Sequence, residues 1–158
     1  MPRADWVKEP PLLWNYLSVP MVGKEGEMRN SGACVKRILV VEDEPSICQV
    51  CLRTLTAEGF EVNVADNGAT AQNMLGEKDY DLCLIDIMTP VMNGQQLYKW
   101  LNEEHPELLN RVIFTTGDLV SKDTKSFIEQ AGRPFLPKPF SLDELKTMVS
   151  ETLRQIEK

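Results

Sequence analysis

Short apolar runs recur through most of the chain, and each ends in a polar residue. Ile38 to Val41 leads into Glu42 and Asp43, Leu82 to Ile85 into Asp86, Val112 to Thr115 into Thr116, and Phe135 to Pro137 into Lys138. Runs of this length suit strands buried on both faces of a parallel sheet, which show no alternation of apolar and polar positions. Between the runs the period changes to that of helices. The first strand is expected over Arg37 to Val41, and Pro45 opens a helix in which Ile47, Val50, Cys51 and Leu55 share one face. Gly59 closes it. Phe60 to Ala65 reads as the second strand, and Asn67 as the cap of a helix carrying Ala71, Met74 and Leu75 as far as Gly76. The third strand, Leu82 to Asp86, leads through Thr89, Pro90 and Gly94 to a helix with Leu97, Trp100 and Leu101. Arg111 to Thr115 is expected as the fourth strand, with its helix over Ser121 to Ala131, and Phe135 and Leu136 as a short fifth strand. Ser141 and Glu144 have the spacing of a capping box for the last helix.

Strands alternating one for one with helices imply an α/β fold with a parallel sheet and right-handed crossovers. The polar residues that end the runs then meet at the carboxyl edge of the sheet, where open α/β folds carry their chemistry. Residues 1–34 stand apart. Pro2, Pro10, Pro11 and Pro20 and a polar stretch from Gly23 to Gly32 read as an extension or linker ahead of a domain spanning 35–158. Leu12, Leu13, Trp14, Tyr16, Leu17 and Val19 form an apolar patch too short for its own core; it reads as a connector or as a docking segment.

Composition narrows the function. The formal charge of the 158 residues is −7, and from Arg37 onward 12 basic against 20 acidic residues leave −8. That balance argues against direct nucleic-acid binding, which calls for a basic face. No apolar stretch approaches the roughly 18 residues of a membrane span, so no membrane partner is expected and a cytoplasmic location is the default. Cys34, Cys48, Cys51 and Cys83 fit a compartment that keeps thiols reduced. Cys48 and Cys51 form a C-x-x-C inside a helix with no second pair to complete a zinc site, and read as packing residues. His105 precedes Pro106 at a helix end and reads as a C-terminal cap.

Glu42, Asp43 and Asp86 would bring their carboxylates together. Unit charges about 4 Å apart repel by roughly 4 kcal/mol at an effective dielectric near 20, so such a cluster either raises a pKa or binds a cation. Hard oxygen donors without His or thiolate favour Mg²⁺ (or Mn²⁺) over zinc. A carboxylate held beside such a cation and a lysine can attack a phosphoryl group and become an acyl phosphate. Asp86 is the natural nucleophile.

The motifs V-E-D-E-P from Val41, D-x-x-x-P-x-x-x-G from Asp86 to Gly94, T-G at Thr116 and K-P-F from Lys138 resemble the receiver domains of two-component response regulators, the CheY-like superfamily. The likeness spans about Val35 to Ile156. It implies the flavodoxin-like (βα)5 strand order 2-1-3-4-5. It also implies that Asp86 is the phosphoacceptor, Asp43 a direct Mg²⁺ ligand, Glu42 the second acidic position, and Met88 a metal ligand through its backbone carbonyl. Thr116 would be the hydroxyl that moves onto the phosphoryl group, Lys138 the phosphate-binding lysine, and Phe135 the side chain that changes rotamer on activation. The bond from Lys138 to Pro139 would be cis. Met88 and Asp118 would tune attack of water on the acyl phosphate; an apolar Met88 implies slow autodephosphorylation. The implied partners are a sensor histidine kinase or a histidine phosphotransfer protein, with an output protein that the sequence does not name.

Three other readings share parts of this layout. An Asp-nucleophile phosphatase of the haloacid dehalogenase type expects a second Asp two residues after the nucleophile, where Met88 stands. A flavodoxin needs a phosphate cradle where this chain has Glu42, Asp43 and Glu44. The third is a receiver module of a larger hybrid histidine kinase, which the stretches RVIFTTGD and GRPFLPKPF resemble.

Overall fold

The three central strands form where their apolar runs must be buried on both sides, and the two edge strands are only partly buried. In the computed structural model, which describes residues 35–118 and 120–157, these are β1 (Arg37–Val41), β2 (Glu61–Ala65), β3 (Leu82–Asp86), β4 (Val112–Thr116) and β5 (Phe135–Pro137). They pair in parallel in the order β2-β1-β3-β4-β5, the flavodoxin-like arrangement. The helices are α1 (Pro45–Ala57), α2 (Gly68–Glu77), α3 (Gly94–Glu104), α4 (Lys122–Ala131) and α5 (Leu142–Glu157). The reading of residues 1–34 as an extension, and Cys34 with it, lies outside the described residues.

Alternate strand residues feed two cores. Leu39, Val41, Cys83, Ile85, Val112 and Phe114 face Ala71 and Leu75 of α2 and Leu97 and Leu101 of α3. Ile38, Val40, Leu82, Leu84 and Ile113 face Cys51 and Leu55 of α1 and Leu145, Val149 and Leu153 of α5. Burying one such side chain contributes about 1.5–3 kcal/mol, and the two layers fix the sheet from both sides. On the α3 and α4 side, Tyr98, Phe114 and Phe127 meet edge to face with ring centroids 5.1 to 5.7 Å apart.

Local signals fix the helix ends. Asn67 caps α2 through Thr70 N at 2.9 Å, Ser121 caps α4 through Thr124 N, and Ser141 and Glu144 make both bonds of a capping box. A second capping box, Asn93 with Gln96, opens α3, where the sequence reading named no cap. Gly59 takes φ +96° after α1, as a closing glycine should. His105 donates its backbone N–H to Leu101 O at 2.8 Å and caps α3. Several boundaries differ from expectation by a residue; β5 takes in Pro137, and α4 starts at Lys122 with Ser121 as its cap. β2 starts at Glu61, since Phe60 N–H still bonds back to Leu55 O. Helix α2 runs through Gly76 and stops at Lys78. A 3-10 turn, Pro106–Arg111, takes up Arg111, whose guanidinium bonds Asp81 O, so β4 starts one residue later and ends at Thr116.

Cys48, Cys51 and Cys83 are free thiols. Burial pushes Cys51 and Cys83 up to about 12, and Cys48, half-buried, is also raised by burial and by Glu42. Such thiols are poor nucleophiles, in keeping with packing.

Gly94 lies where β3 passes into α3. A Cβ there would sit 2.7 Å from Ile87 Cα and 2.9 Å from Asp86 O, both backbone atoms that cannot swing aside. Gly94→Ala is expected to cost about 2–3 kcal/mol, outweighing alanine's better helix propensity of roughly 1 kcal/mol or less. A urea titration checks this, and an unchanged midpoint would refute it.

Candidate functional site

Parallel register places the strand-end residues side by side. Val41 pairs with Ile85, Asp86 with Thr115, and Thr116 with Pro137. The residues after these pairings arrive at the same edge: Glu42 opposite Asp86, and Lys138 one step past the Thr116 pairing, opposite Gly117. Backbone bonds extend the ladder past the strands, from Glu42 N to Ala65 O at 2.9 Å, Ile87 N to Thr115 O at 3.0 Å and Lys138 N to Thr116 O at 3.0 Å. Glu42, Asp86 and Thr116 are buried, whereas Asp43 is exposed at the rim.

The centre of the site is the Lys138 ammonium. It lies 2.8 Å from Glu42 Oε1, 3.0 Å from Asp86 Oδ2 and 3.0 Å from Glu44 Oε1. Burial alone would lower its pKa, but the bonds to Glu42, Asp86 and Glu44 outweigh it and hold the ammonium firmly protonated. One lysine does not balance the acids around it. Burial, reinforced by the charge of Asp86 and opposed by the Lys138 bond, pushes Glu42 up to about 7. The carboxylate oxygens of Glu42, Asp43 and Asp86 come within 4.8 Å of one another, so three acids share one corner that is short of positive charge. This all-oxygen donor set fits a hard divalent cation. The Lys138–Pro139 peptide is cis, as the family resemblance implied.

The loop after Asp86 is tied from both ends. Met88 N donates to Asp86 Oδ1 at 3.0 Å, which aims the carboxylate. Thr89 Oγ1 and Gly68 N both donate to Met92 O at 2.9 Å, pinning the loop to the start of α2. Gly68 has no room for a Cβ, which would fall 2.6 Å from that same oxygen. Between the ties, Val91 takes φ +64°, a costly conformation for a β-branched residue. The Met88 side chain points outward, 55% exposed. Its carbonyl, assigned to a metal by resemblance, belongs to this loop.

Across the site, Thr116 Oγ1 accepts from Asp118 N at 3.0 Å, and the Asp118 carboxylate accepts from Val120 N and Ser121 N. Phe135, half-buried on β5, is paired in register with Phe114 and packs on the α3 and α4 side of the core. The structure thus brings Glu42, Asp43, Asp86 and Lys138 into one cluster, sets Thr116 and Asp118 on the adjoining β4 loop, and keeps Phe135 one strand away. Glu44 is the member the sequence reading did not single out. Its position directly after Glu42 and Asp43 was visible, but only the fold shows that it reaches Lys138.

A parallel five-stranded sheet in this order, with a buried aspartate, an acidic rim and a lysine at its carboxyl edge, defines a class of domain. Residues 38–150 match the response regulator receiver domain family, and the chain belongs to it. Similar proteins include the sensor kinase CckA of Brucella abortus, 31% identical over 142 residues, covering 86% of this chain and 15% of that protein. The transcriptional regulatory protein CusR of Escherichia coli is 34% identical over 122 residues, covering 75% of this chain and 52% of CusR. Among solved structures, a CheY-like receiver domain protein of Methanospirillum hungatei superposes with TM-score 0.71 at 28% identity, covering 78% of this chain and 98% of that one. The receiver domain of a signal transduction histidine kinase from Syntrophus aciditrophicus gives TM-score 0.71 at 27% identity, covering 78% and 94%. The chain spans about half of CusR and a much smaller part of CckA. Receiver domains are signalling modules of two-component systems, and none of the described helices is long and apolar enough to cross a membrane.

Proposed function

We propose that this domain is a phosphorylation-driven switch with Asp86 as phosphoacceptor. The observation that carries the reading is the buried Asp86 carboxylate, aimed by Met88 N and held 3.0 Å from the Lys138 ammonium beside two further acids. An oxygen of Asp86 attacks phosphorus, an O–P bond forms, and the N–P bond of a phosphohistidine on a sensor kinase or phosphotransfer protein breaks. The leaving imidazole nitrogen takes a proton. Glu42, Asp43 and Asp86 would hold Mg²⁺, with Met88 adding its carbonyl. Bound Mg²⁺ supplies positive charge against the oxygens of the transferring group. Lys138 neutralises the same charge from the protein side, and Thr116 exchanges its bond from Asp118 N for one to the phosphoryl group. That movement vacates space beside β5, into which Phe135 turns. Phosphorylation must supply a few kcal/mol of preference for the active arrangement to dominate.

The output surface is the face of α4, β5 and α5. A groove of about 580 Å³ between β5 and α5, lined by Leu136, Pro137 and Met148 with Asp143, Glu144 and Glu151 at its rim, supports docking of apolar and basic partner side chains. Free thiols accord with a cytoplasmic setting. A second reading is favoured by the likeness to CckA: the domain serves as the receiver module of a larger hybrid kinase. The test of the shared chemistry is beryllofluoride, a phosphoryl mimic. Binding that requires Mg²⁺ supports the switch, and turnover of phosphoesters in its place supports an Asp-nucleophile phosphatase.

Met88 sets the lifetime of the phosphorylated state. An exposed thioether cannot orient an attacking water, so Met88→Asn is expected to speed autodephosphorylation about five- to tenfold, the worth of roughly one hydrogen bond. Decay of labelled protein in Mg²⁺ without phosphatase measures it. A wild-type half-life of seconds would contradict the account of Met88.

A further inference from the structure

Glu44 occupies the N-cap position of α1, yet its side chain makes no capping bond there. Capping normally falls to a short Ser, Thr, Asp or Asn side chain. The Glu44 carboxylate turns instead across the carboxyl edge of the sheet to Lys138, 94 residues on in sequence, at 3.0 Å. An ammonium has three N–H donors and no more. Glu42, Asp86 and Glu44 occupy all three. A phosphoryl oxygen that is to bond Lys138 must therefore displace one of them.

The three are not equally easy to displace. The Glu42 and Asp86 side chains are 3% and 5% exposed, whereas that of Glu44 is 57% exposed. A buried carboxylate stripped of its ammonium is left without a partner, but an exposed one is taken up by water at little cost. Resting on the receiver reading above, we propose that Glu44 is a positioning residue: it holds the Lys138 ammonium over Asp86 in the resting domain and occupies the donor that an incoming phosphoryl group takes over. Loss of the Glu44 contact is then a step of activation, and its strength is part of the resting bias.

The test compares wild type, Glu44→Gln and Glu44→Ala for beryllofluoride affinity by titration calorimetry at saturating Mg²⁺. Both substitutions lie at an exposed side chain and are expected to leave the thermal midpoint unchanged. Removing the competing carboxylate should tighten binding about 1.5- to fivefold, the range of one exposed ion pair, and the gain should shrink towards none near 1 M salt, where screening is strong. Asp66→Asn, which removes a charge just past β2 that among the described residues bonds only Asn67 and Thr70, is expected to leave affinity unchanged. Unchanged or weaker binding in both Glu44 variants, or an equal gain in Asp66→Asn, overturns the proposal. If Asp86→Asn still abolishes binding in that case, the phosphoacceptor reading stands without it. Wild-type protein that binds no beryllofluoride overturns both.

Discussion

Asp86→Asn is expected to lower phosphoryl transfer from acetyl phosphate or a phosphohistidine donor about a thousandfold or more, the scale on which loss of a nucleophile is felt. The amide has nearly the shape of the carboxylate, and its oxygen can still accept from Met88 N, as Asp86 Oδ1 does at 3.0 Å. The loop after β3 therefore keeps its place, and the fold with it. What disappears is the anionic oxygen that attacks phosphorus. Metal affinity also falls, because one of the three carboxylates that converge within 4.8 Å is gone. Phosphate-affinity electrophoresis reads transfer, and circular dichroism checks the fold. Substantial phosphorylation of a folded Asp86→Asn protein would point to a different acceptor.

Lys138→Met should give the largest loss of stability among the site substitutions. Methionine keeps an unbranched side chain of similar length but removes the ammonium that Glu42 and Asp86 share at 2.8 and 3.0 Å. Both of those carboxylates are buried, so water does not replace the lost partner. Breaking a buried pair costs about 3–5 kcal/mol, and protonation of Glu42, already pushed up to about 7 chiefly by burial, recovers part of it. A net loss of about 2–3 kcal/mol remains, near 10 °C in thermal midpoint for a domain of this size at about 4 °C per kcal/mol. Added Mg²⁺ should restore some of it by supplying a cation to the same acids. A metal-free midpoint within a degree or two of wild type would show that the ammonium is not needed to hold the cluster.

The three central strands were legible in the sequence because burial on both faces leaves a plain signature: an unbroken run of three or four apolar residues before a polar one. Asn67, Ser141 and Glu144 marked their helix ends by the same short-range chemistry that the folded chain uses. The start of β4 was harder to read, since Arg111 satisfies its guanidinium on Asp81 O, and Asp81 lies 30 positions away in sequence. Gly76 looked like a terminator, yet a glycine inside a helix costs only about 1 kcal/mol and α2 runs through it. In the site, the strand-end residues declared themselves by position. Glu44 did not, because its partner Lys138 is brought to it only by the order of the strands.

Borohydride reduction after incubation with acetyl phosphate and Mg²⁺, followed by peptide mass spectrometry, tests the central assignment most directly. An aspartyl phosphate is reduced to homoserine at the modified position. The account predicts this conversion at Asp86 alone, dependent on Mg²⁺. Conversion at another carboxylate, or none at any residue of a folded protein, would contradict it.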